Sequence, residues 1–264
     1  SQVKNPGDYW TVFIGRQPMI MIRHDDGKIH VLYNRCPHRG NLLIGQRHGR
    51  IDKSIVCSYH SWQFHSDGTA KAIPIPRGYD GTNLDITSAA CNIKRAPRVD
   101  SYRGFVFANL ADHGPSLVEW LGPSKIAFDQ MCDRAPEGEV EVVPTCFRIM
   151  QKSNWKFFVE NQLDVAHAVI THESTGRAAA DVEEGVKQRL GSAPLDYHFL
   201  SGFVLPLSLY DKMTTVNYPT GHSLLEGYMS LRPQDKDSLE YEAIMKNKYG
   251  EARANEILDG NLHH

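Results

Sequence analysis

Nowhere in the 264 residues does an apolar run approach the roughly 18 residues that a membrane-spanning helix needs. The opening stretch SQVKNPGDYW also lacks the basic-then-apolar order of a secretory leader, so the expectation is a cytoplasmic chain with no membrane partner. Charge of one sign is scarce as well. With 29 Lys and Arg against 31 Asp and Glu the net charge is -2, which leaves no basic stripe for nucleic acid. Cysteine is rare and odd in number. Five residues give no paired framework, and in a reducing compartment a structural disulfide between Cys36 and Cys57 is not expected. Cys91, Cys132 and Cys146 read as small buried hydrophobes. Internal repeats and low-complexity tracts are missing too. What is present is a chain, 41% hydrophobic, able to fill one large or two smaller cores and suited to a small molecule or another protein as partner.

The texture divides the chain in two. In residues 1–112 short β-branched or aromatic runs at 11–15, 19–23, 29–33 and 55–59 are punctuated by the turn dipeptides Asp26-Gly27 and Asp67-Gly68. A further run at 104–110 reads as a last strand leading outward, so this region predicts a small all-β sheet or barrel. From 113 to 264 the pattern is mixed. Residues 115–122 carry Ser116 and Glu119 at capping-box spacing with a glycine stop, which predicts a short helix, and 145–150 reads as a strand. Trp155, Phe158, Val159, Val165, Ala166 and Val169 recur at near-helical spacing behind a Ser153 or Asn154 cap, which predicts one buried helix. Residues 199–210 are apolar and broken by proline, a strand or pocket wall, and 237–260 form a charged helical stretch suited to a surface or subunit contact. The predicted fold class is α+β: an all-β domain at 1–112 followed by an α+β domain at 113–264.

Two pairs of metal-ligating residue types stand out in the first region. CPHRG holds Cys36 and His38, and CSYH holds Cys57 and His60. Thiolate and imidazole two or three residues apart on a tight loop can wrap a metal without straining the backbone, and two such loops from adjacent hairpins can close on one centre. Two centres compete for these four. A structural zinc takes two cysteines and two histidines in a tetrahedron. A Rieske [2Fe-2S] cluster takes two cysteines on one iron and two histidines on the other, so each loop gives one ligand to each iron. The order Cys, His, Cys, His suits the second directly, whereas zinc ribbons more often use Cys-x-x-Cys knuckles.

The second region contains ENQLDVAHAVITH, in which Asp164, His167 and His172 are costly in an apolar helix unless something pairs with them. At about 100° per residue Asp164 and His167 share a face, about 60° apart, whereas His167 and His172 lie about 140° apart. Both imidazoles reach one metal only where the helix loosens or ends before His172. The β-branched Ile170-Thr171 pair followed by ESTG is consistent with such an ending. Two histidines and one carboxylate on one side of a metal, with open positions opposite, is the arrangement of non-heme Fe(II) oxygenases. Of the other histidines, His24, His30, His48, His65 and His113 show no partner spacing and read as ordinary surface or core groups. His198 and His222 lie in the apolar C-terminal part, as ordinary groups or facing a pocket, and Arg39 is a loop brace or a surface arginine.

CPHRG followed by CSYHSWQFHSDG, with Pro37, Tyr59, Trp62, Phe64 and Gly68, resembles the Rieske loops of ring-hydroxylating oxygenases. NWKFFVENQLDVAHAVITHES resembles the E-N-x-x-D-x-x-H-x-x-x-x-H segment in the large (alpha) subunits of Rieske non-heme iron aromatic ring-hydroxylating oxygenases. The resemblance implies a Rieske [2Fe-2S] domain on Cys36, His38, Cys57 and His60, and then the N-terminal part of a helix-grip-like catalytic domain holding mononuclear Fe(II) on His167 and His172. It gives Asp164 a bridging role, holding His167 and, across a subunit boundary, His60, and it puts Asn161 near the iron. It implies a terminal oxygenase that uses O2 and NAD(P)H-derived electrons, delivered by a reductase, a ferredoxin or both, to hydroxylate an aromatic small molecule. Cis-dihydroxylation is the expected outcome. The alternatives are monooxygenation, by hydroxylation or O-demethylation, and a pure electron-transfer protein. The implied assembly is a homotrimer of alpha subunits, with or without a small beta subunit. The chain departs from the family in its loop spacing, with 18 residues between His38 and Cys57, slightly more than the family has, and in two further places. The family's third iron ligand, a carboxylate, follows the second histidine by well over a hundred residues, but this chain ends 92 residues after His172, and Asp196, Asp211 and Glu226 stand in no familiar context. Family members also usually carry a helical segment before NPGDYW. These last two departures predict an apparently truncated chain, a piece of a longer alpha subunit, the alternative being a complete, abbreviated protein in which water or a nearby carboxylate completes the iron.

Overall fold

The dipeptide Asp26-Gly27 makes the turn its chemistry predicts. Gly27 takes a left-handed φ of 83°, His24 and Lys28 close the turn through a backbone bond of 2.8 Å, and Asp26 Oδ1 accepts the Lys28 N–H at 2.9 Å. The turn joins β2 (Gln17–Arg23) to β3 (Ile29–Tyr33), and β1 (Asp8–Ile14) lies on the other side of β2. With β4 (His48–Arg50) they form an antiparallel sheet in the order β3-β2-β1-β4. A second sheet contains β5 (Ile55–Val56), β6 (Gln63–Phe64) and β7 (Ala70–Ala72), and a hairpin pairs β8 (Arg98–Tyr102) with β9 (Phe105–Asn109). In this computed structural model residues 2–141, 149–164, 166–191, 213–226 and 236–259 are described, with Tyr197, Leu200, Val204, Ser208 and Asp211. The chain divides into two compact units, Ser1–Leu117 and Val118–His264.

The run Met19-Ile20-Met21-Ile22 has no polar alternation because β2 is covered on both faces. Ile20 and Ile22 enter one cluster with Leu32, Ile55, Phe64, Ile93, Cys36, Cys57 and Trp62, while Met19 packs on the other face with Val31 and Ala96. Each fully buried aliphatic side chain of this kind contributes about 1.5–3 kcal/mol. The predicted strand at 55–59 is shorter than expected, since pairing stops at Val56 and the chain turns away at Cys57.

His30, half-buried on β3, faces the His24 ring at 5.7 Å, with Arg95, Asp67 and Asp26 in electrostatic reach. Burial, then Arg95 and His24, lower its pKa below the ordinary value against the opposing pull of the two aspartates. A histidine with a depressed folded pKa is protonated more readily in the unfolded chain. Its contribution is therefore present above the unfolded value near 6.5 and is lost as pH falls through the folded value. Chemical denaturation should accordingly show a midpoint that drops between pH 7 and 5, with a shallower drop in His30→Phe; equal slopes in the two proteins would dismiss His30 as a source.

In the second unit α1 (Leu117–Leu121) falls within the predicted helix and leads to α2 (Lys125–Asp133). The single buried helix predicted from residue 153 is instead two. Asn154 caps α3 (Trp155–Leu163) by accepting the Lys156 N–H at 3.1 Å, Asp164 is extended at φ −91° and ψ 107°, and α4 spans Ala166–Thr171. Nor is α3 buried: Trp155 is 69% and Phe157 68% exposed. Phe158 and Val159 are exposed as well, and the apolar residues at successive positions 157, 158 and 159 spread around the helix instead of sharing one face. The stretch ESTG, read as a helix ending, opens α5 (Glu173–Leu190), an unforeseen helix with Glu183 and Lys187 paired at 2.8 Å and Gly191 ending it at φ 79°.

The hairpin of β10 (Thr214–Asn217) and β11 (Ser223–Glu226) follows, then α6 (Lys236–Tyr249) and α7 (Glu251–Asp259). The charged stretch 237–260 thus breaks at Gly250 and buries Met245 against Ala254, Ile257 and Leu258. Cys91 and Cys132 are buried as expected. Cys146, residues 145–148 of the predicted strand, Asp196, His198, most of 199–210 and the Glu226 side chain lie outside the described residues. No helix among the described residues is long and apolar enough to cross a membrane.

Candidate metal centres

β3 delivers the chain into a loop that its first side chain closes. Asn34 is buried; its Oδ1 accepts the N–H groups of Leu43 (3.1 Å) and Ile44 (2.9 Å), and its Nδ2 donates to the Ile44 carbonyl at 2.7 Å. Within the loop Cys36 N–H donates to the Asn41 carbonyl at 2.8 Å and Gly40 N–H to the Cys36 carbonyl at 2.9 Å, with Gly40 at φ 73°. The second loop repeats the plan. Cys57 N–H donates to the Trp62 carbonyl at 2.8 Å and Ser61 N–H to the Cys57 carbonyl at 2.9 Å, and Ser61 takes φ 55°, a conformation costing a non-glycine residue about 1–3 kcal/mol. Each thiol therefore stands at the head of a closed turn, with an imidazole two or three residues on.

The structure brings all four predicted side chains to one end of this unit's core. Cys36 and Cys57 are both 2% exposed, and the His38 and His60 rings meet edge to face at 4.7 Å. His38 stacks flat on Trp62 at 5.0 Å, and Tyr59 lies over His60 at 3.8 Å. His38 Nδ1 and Trp62 Nε1 are buried with no hydrogen-bond partner among the described residues. Burial, with the neighbouring Cys57 sulfur, pushes the Cys36 thiol up to about 11. At Cys57 burial also acts upward, but the N–H groups of His60 and Tyr59, with Cys36 and Asn41, outweigh it and hold that thiol below its ordinary value. Burial, His60 and Arg39 lower the pKa of His38, which favours the neutral, metal-binding imidazole.

Around the second motif the break at Asp164 organises the geometry. Thr215 Oγ1 donates to the Leu163 carbonyl at 3.1 Å, closing α3, and Asp164 Oδ1 caps α4 by accepting from Ala166 N–H (3.0 Å) and His167 N–H (3.4 Å). Asp164 Oδ2 lies 3.4 Å from His167 Nδ1, close enough for an ion pair but not aligned as a hydrogen bond. α4 ends at Thr171, so His172 occupies the junction before α5, and its ring stands 5.6 Å from that of His167 at 72°. Asn161 is exposed at the end of α3. No three His, Cys, Asp or Glu side chains among the described residues converge where a single ion would sit.

A family model described as the Rieske [2Fe-2S] domain matches residues 1–97. Residues 1–97 are a Rieske domain. Over its greater length the chain is homologous to the large subunits of aromatic ring-hydroxylating dioxygenases. The anthranilate 1,2-dioxygenase large subunit of Acinetobacter baylyi is 33% identical over 264 residues, 96% of this chain and 52% of that protein. Toluate 1,2-dioxygenase subunit alpha of Pseudomonas putida is 34% identical over 172 residues, 65% of this chain and 37% of that protein. A solved naphthalene 1,2-dioxygenase with indole bound matches with a TM-score of 0.75 at 26% identity, covering 98% of this chain and 56% of its own. The chain thus spans about half or less of the length of these relatives.

The Rieske domain's residues fit a two-iron cluster better than a single zinc. A tetrahedral zinc needs its donors on one point, whereas here two thiols gather in the core and two imidazoles stand edge to face beside them, with His38 Nδ1 buried and unpartnered. Sequence reasoning did not find Asn34 or Asn41. Their roles rest on bonds to backbone and sulfur that only the folded loops create.

Proposed function

We propose that the chain is the Rieske-bearing part of a terminal oxygenase component that takes electrons from an NAD(P)H-dependent reductase, directly or through a ferredoxin, and hydroxylates an aromatic small molecule with O2, as a cis-dihydrodiol. The observation that carries this reading is the closure of two loops on one another with paired thiols and paired imidazoles at their tips. In this reading Cys36 and Cys57 hold one cluster iron, His38 and His60 the other, and His167 and His172 hold a mononuclear Fe(II) in the part from residue 113 onward. When bound, these groups supply one-electron storage and O2 activation, respectively.

The chain's own residues prepare each place. Backbone N–H groups of the second loop favour the thiolate form of Cys57 against the opposing effect of burial, and burial favours the neutral form of His38. His60 is less buried than the thiols, and in this reading a carboxylate of a neighbouring subunit meets it. Asp164 is that carboxylate in this reading: Oδ1 is occupied by the start of α4, which fixes the direction of Oδ2 toward His167 and the space beside it. In this reading Asn161, one turn earlier at the end of α3, would be a polar neighbour of the iron. The implied assembly is a cytoplasmic homotrimer of alpha subunits, with or without a small beta subunit. The relatives' names, those of dioxygenases for anthranilate, toluate and naphthalene, support an aromatic substrate.

Iron, acid-labile sulfide and zinc counted on anaerobically purified protein test the reading. About three irons and about two sulfides per chain are expected, for one cluster and one mononuclear site. Zinc without sulfide would end it, and two irons with two sulfides, unchanged after Fe(II) is added back, would leave an electron carrier.

A further inference from the structure

We propose that Asn41 sets the electron affinity of the Rieske site by donating its side-chain amide to the Cys57 sulfur, a proposal that rests on the cluster reading of residues 36–60. Asn41 touches both thiol loops. Its backbone carbonyl accepts the Cys36 N–H at 2.8 Å, while its Nδ2 lies 3.6 Å from Cys57 Sγ, 3.2 Å from Ser58 Oγ and 3.0 Å from the Leu42 carbonyl. A distance of 3.6 Å is long for a bond between nitrogen and oxygen but within reach of the larger sulfur atom. An amide has two N–H hydrogens, and of the three acceptors around them only the sulfur changes charge when an electron is added.

The direction of the effect follows from electrostatics. A thiolate on iron carries more negative charge in the reduced cluster than in the oxidised one. A donor aimed at it therefore stabilises the reduced form more and raises the potential. Cys57 is 2% exposed and Asn41 half-buried, so the contact is part-buried and water screens it less than at an open surface. Asn41 acts through the sulfur and touches no reacting atom. It is a tuning residue, and because its carbonyl also ties down the Cys36 turn, the amide is held in place by the same loop it serves.

Asn41→Leu matches the heavy-atom branching of the side chain and keeps the backbone carbonyl but removes the donor. In the intact protein, an EPR-monitored redox titration should show a lower midpoint potential, by about a tenfold change in the reduction equilibrium or about 59 mV, with sulfide content unchanged. An unchanged potential with the cluster intact would overturn the proposal. Should the variant fail to hold its cluster, wild-type protein labelled with 15N at the asparagine side-chain amides decides the matter: pulsed EPR of the reduced state should show a weak coupling to an amide nitrogen, and a spectrum with histidine couplings alone would overturn it. Wild-type protein without sulfide would instead remove the cluster reading itself.

Discussion

His167→Ala should abolish product formation from an aromatic substrate while leaving the Rieske EPR signal and its reduction by an external donor at wild-type levels. Loss of a group that merely orients a metal ligand costs about 10–100-fold in affinity or activity, so removal of a ligand itself is expected to cost more than about 100-fold. The folded state has little reason to suffer. His167 lies on the two-turn helix α4, its ring contacts are to His172 and Asp164, and its Nδ1 makes no aligned hydrogen bond among the described residues. Iron should fall by about one per chain with sulfide constant. Labelled O2 in the wild type adds the stoichiometry, with both oxygens in a cis-diol and one in a monohydroxylated product. Substrate turnover that survived in His167→Ala would leave the histidine pair as ordinary helix residues.

Asp164 invites a finer dissection because one carboxylate oxygen has a structural duty and the other faces His167. Asparagine is as good a helix N-cap as aspartate, so Asp164→Asn should keep the α3–α4 break and the thermal midpoint. It removes the charge that would join His167 to the neighbouring His60, and turnover should fall about 10–100-fold with cluster reduction unaffected. Asp164→Ala removes the cap as well. That costs about 1 kcal/mol, or about 2–4 °C in Tm for a chain of this size. Single-turnover experiments starting from reduced cluster separate the two roles. If Asp164→Asn reoxidises its cluster as fast as wild type when substrate and O2 are added, Asp164 is a helix cap and no more.

The features legible in the sequence were those carried by local chemistry. Asp26-Gly27 dictates its hairpin wherever it sits, and Cys-x-His with Cys-x-x-His places two thiols and two imidazoles on two turns whatever surrounds them. The break before His172 was legible too, as a condition that two imidazoles could meet. The rest depended on partners that a linear pattern does not name. Spacing marked 153–169 as helical, but whether an apolar helix is buried depends on what packs against it, and the extended turn at Asp164 arises because its carboxylate serves the N–H groups that follow. ESTG looked like an ending because Ser, Thr and Gly favour loops, yet Glu173 heads α5, with Arg177 one turn on bonded to it at 3.1 Å. Asn34 and Asn41 give no sign in the sequence, since an asparagine that closes a loop and one that faces water are spelled alike.

The Asn34 clamp keeps the loops closed by bonds that use none of the four thiol and imidazole side chains. Both turns are shut by amides and carbonyls of the protein itself. The shape of the tip therefore belongs to the backbone and to one buried asparagine, and a change of side chain at Cys36, His38, Cys57 or His60 alters what the tip can hold without removing the bonds that shut the loops. A metal finger, whose loops are held by the ion itself, has no such separation.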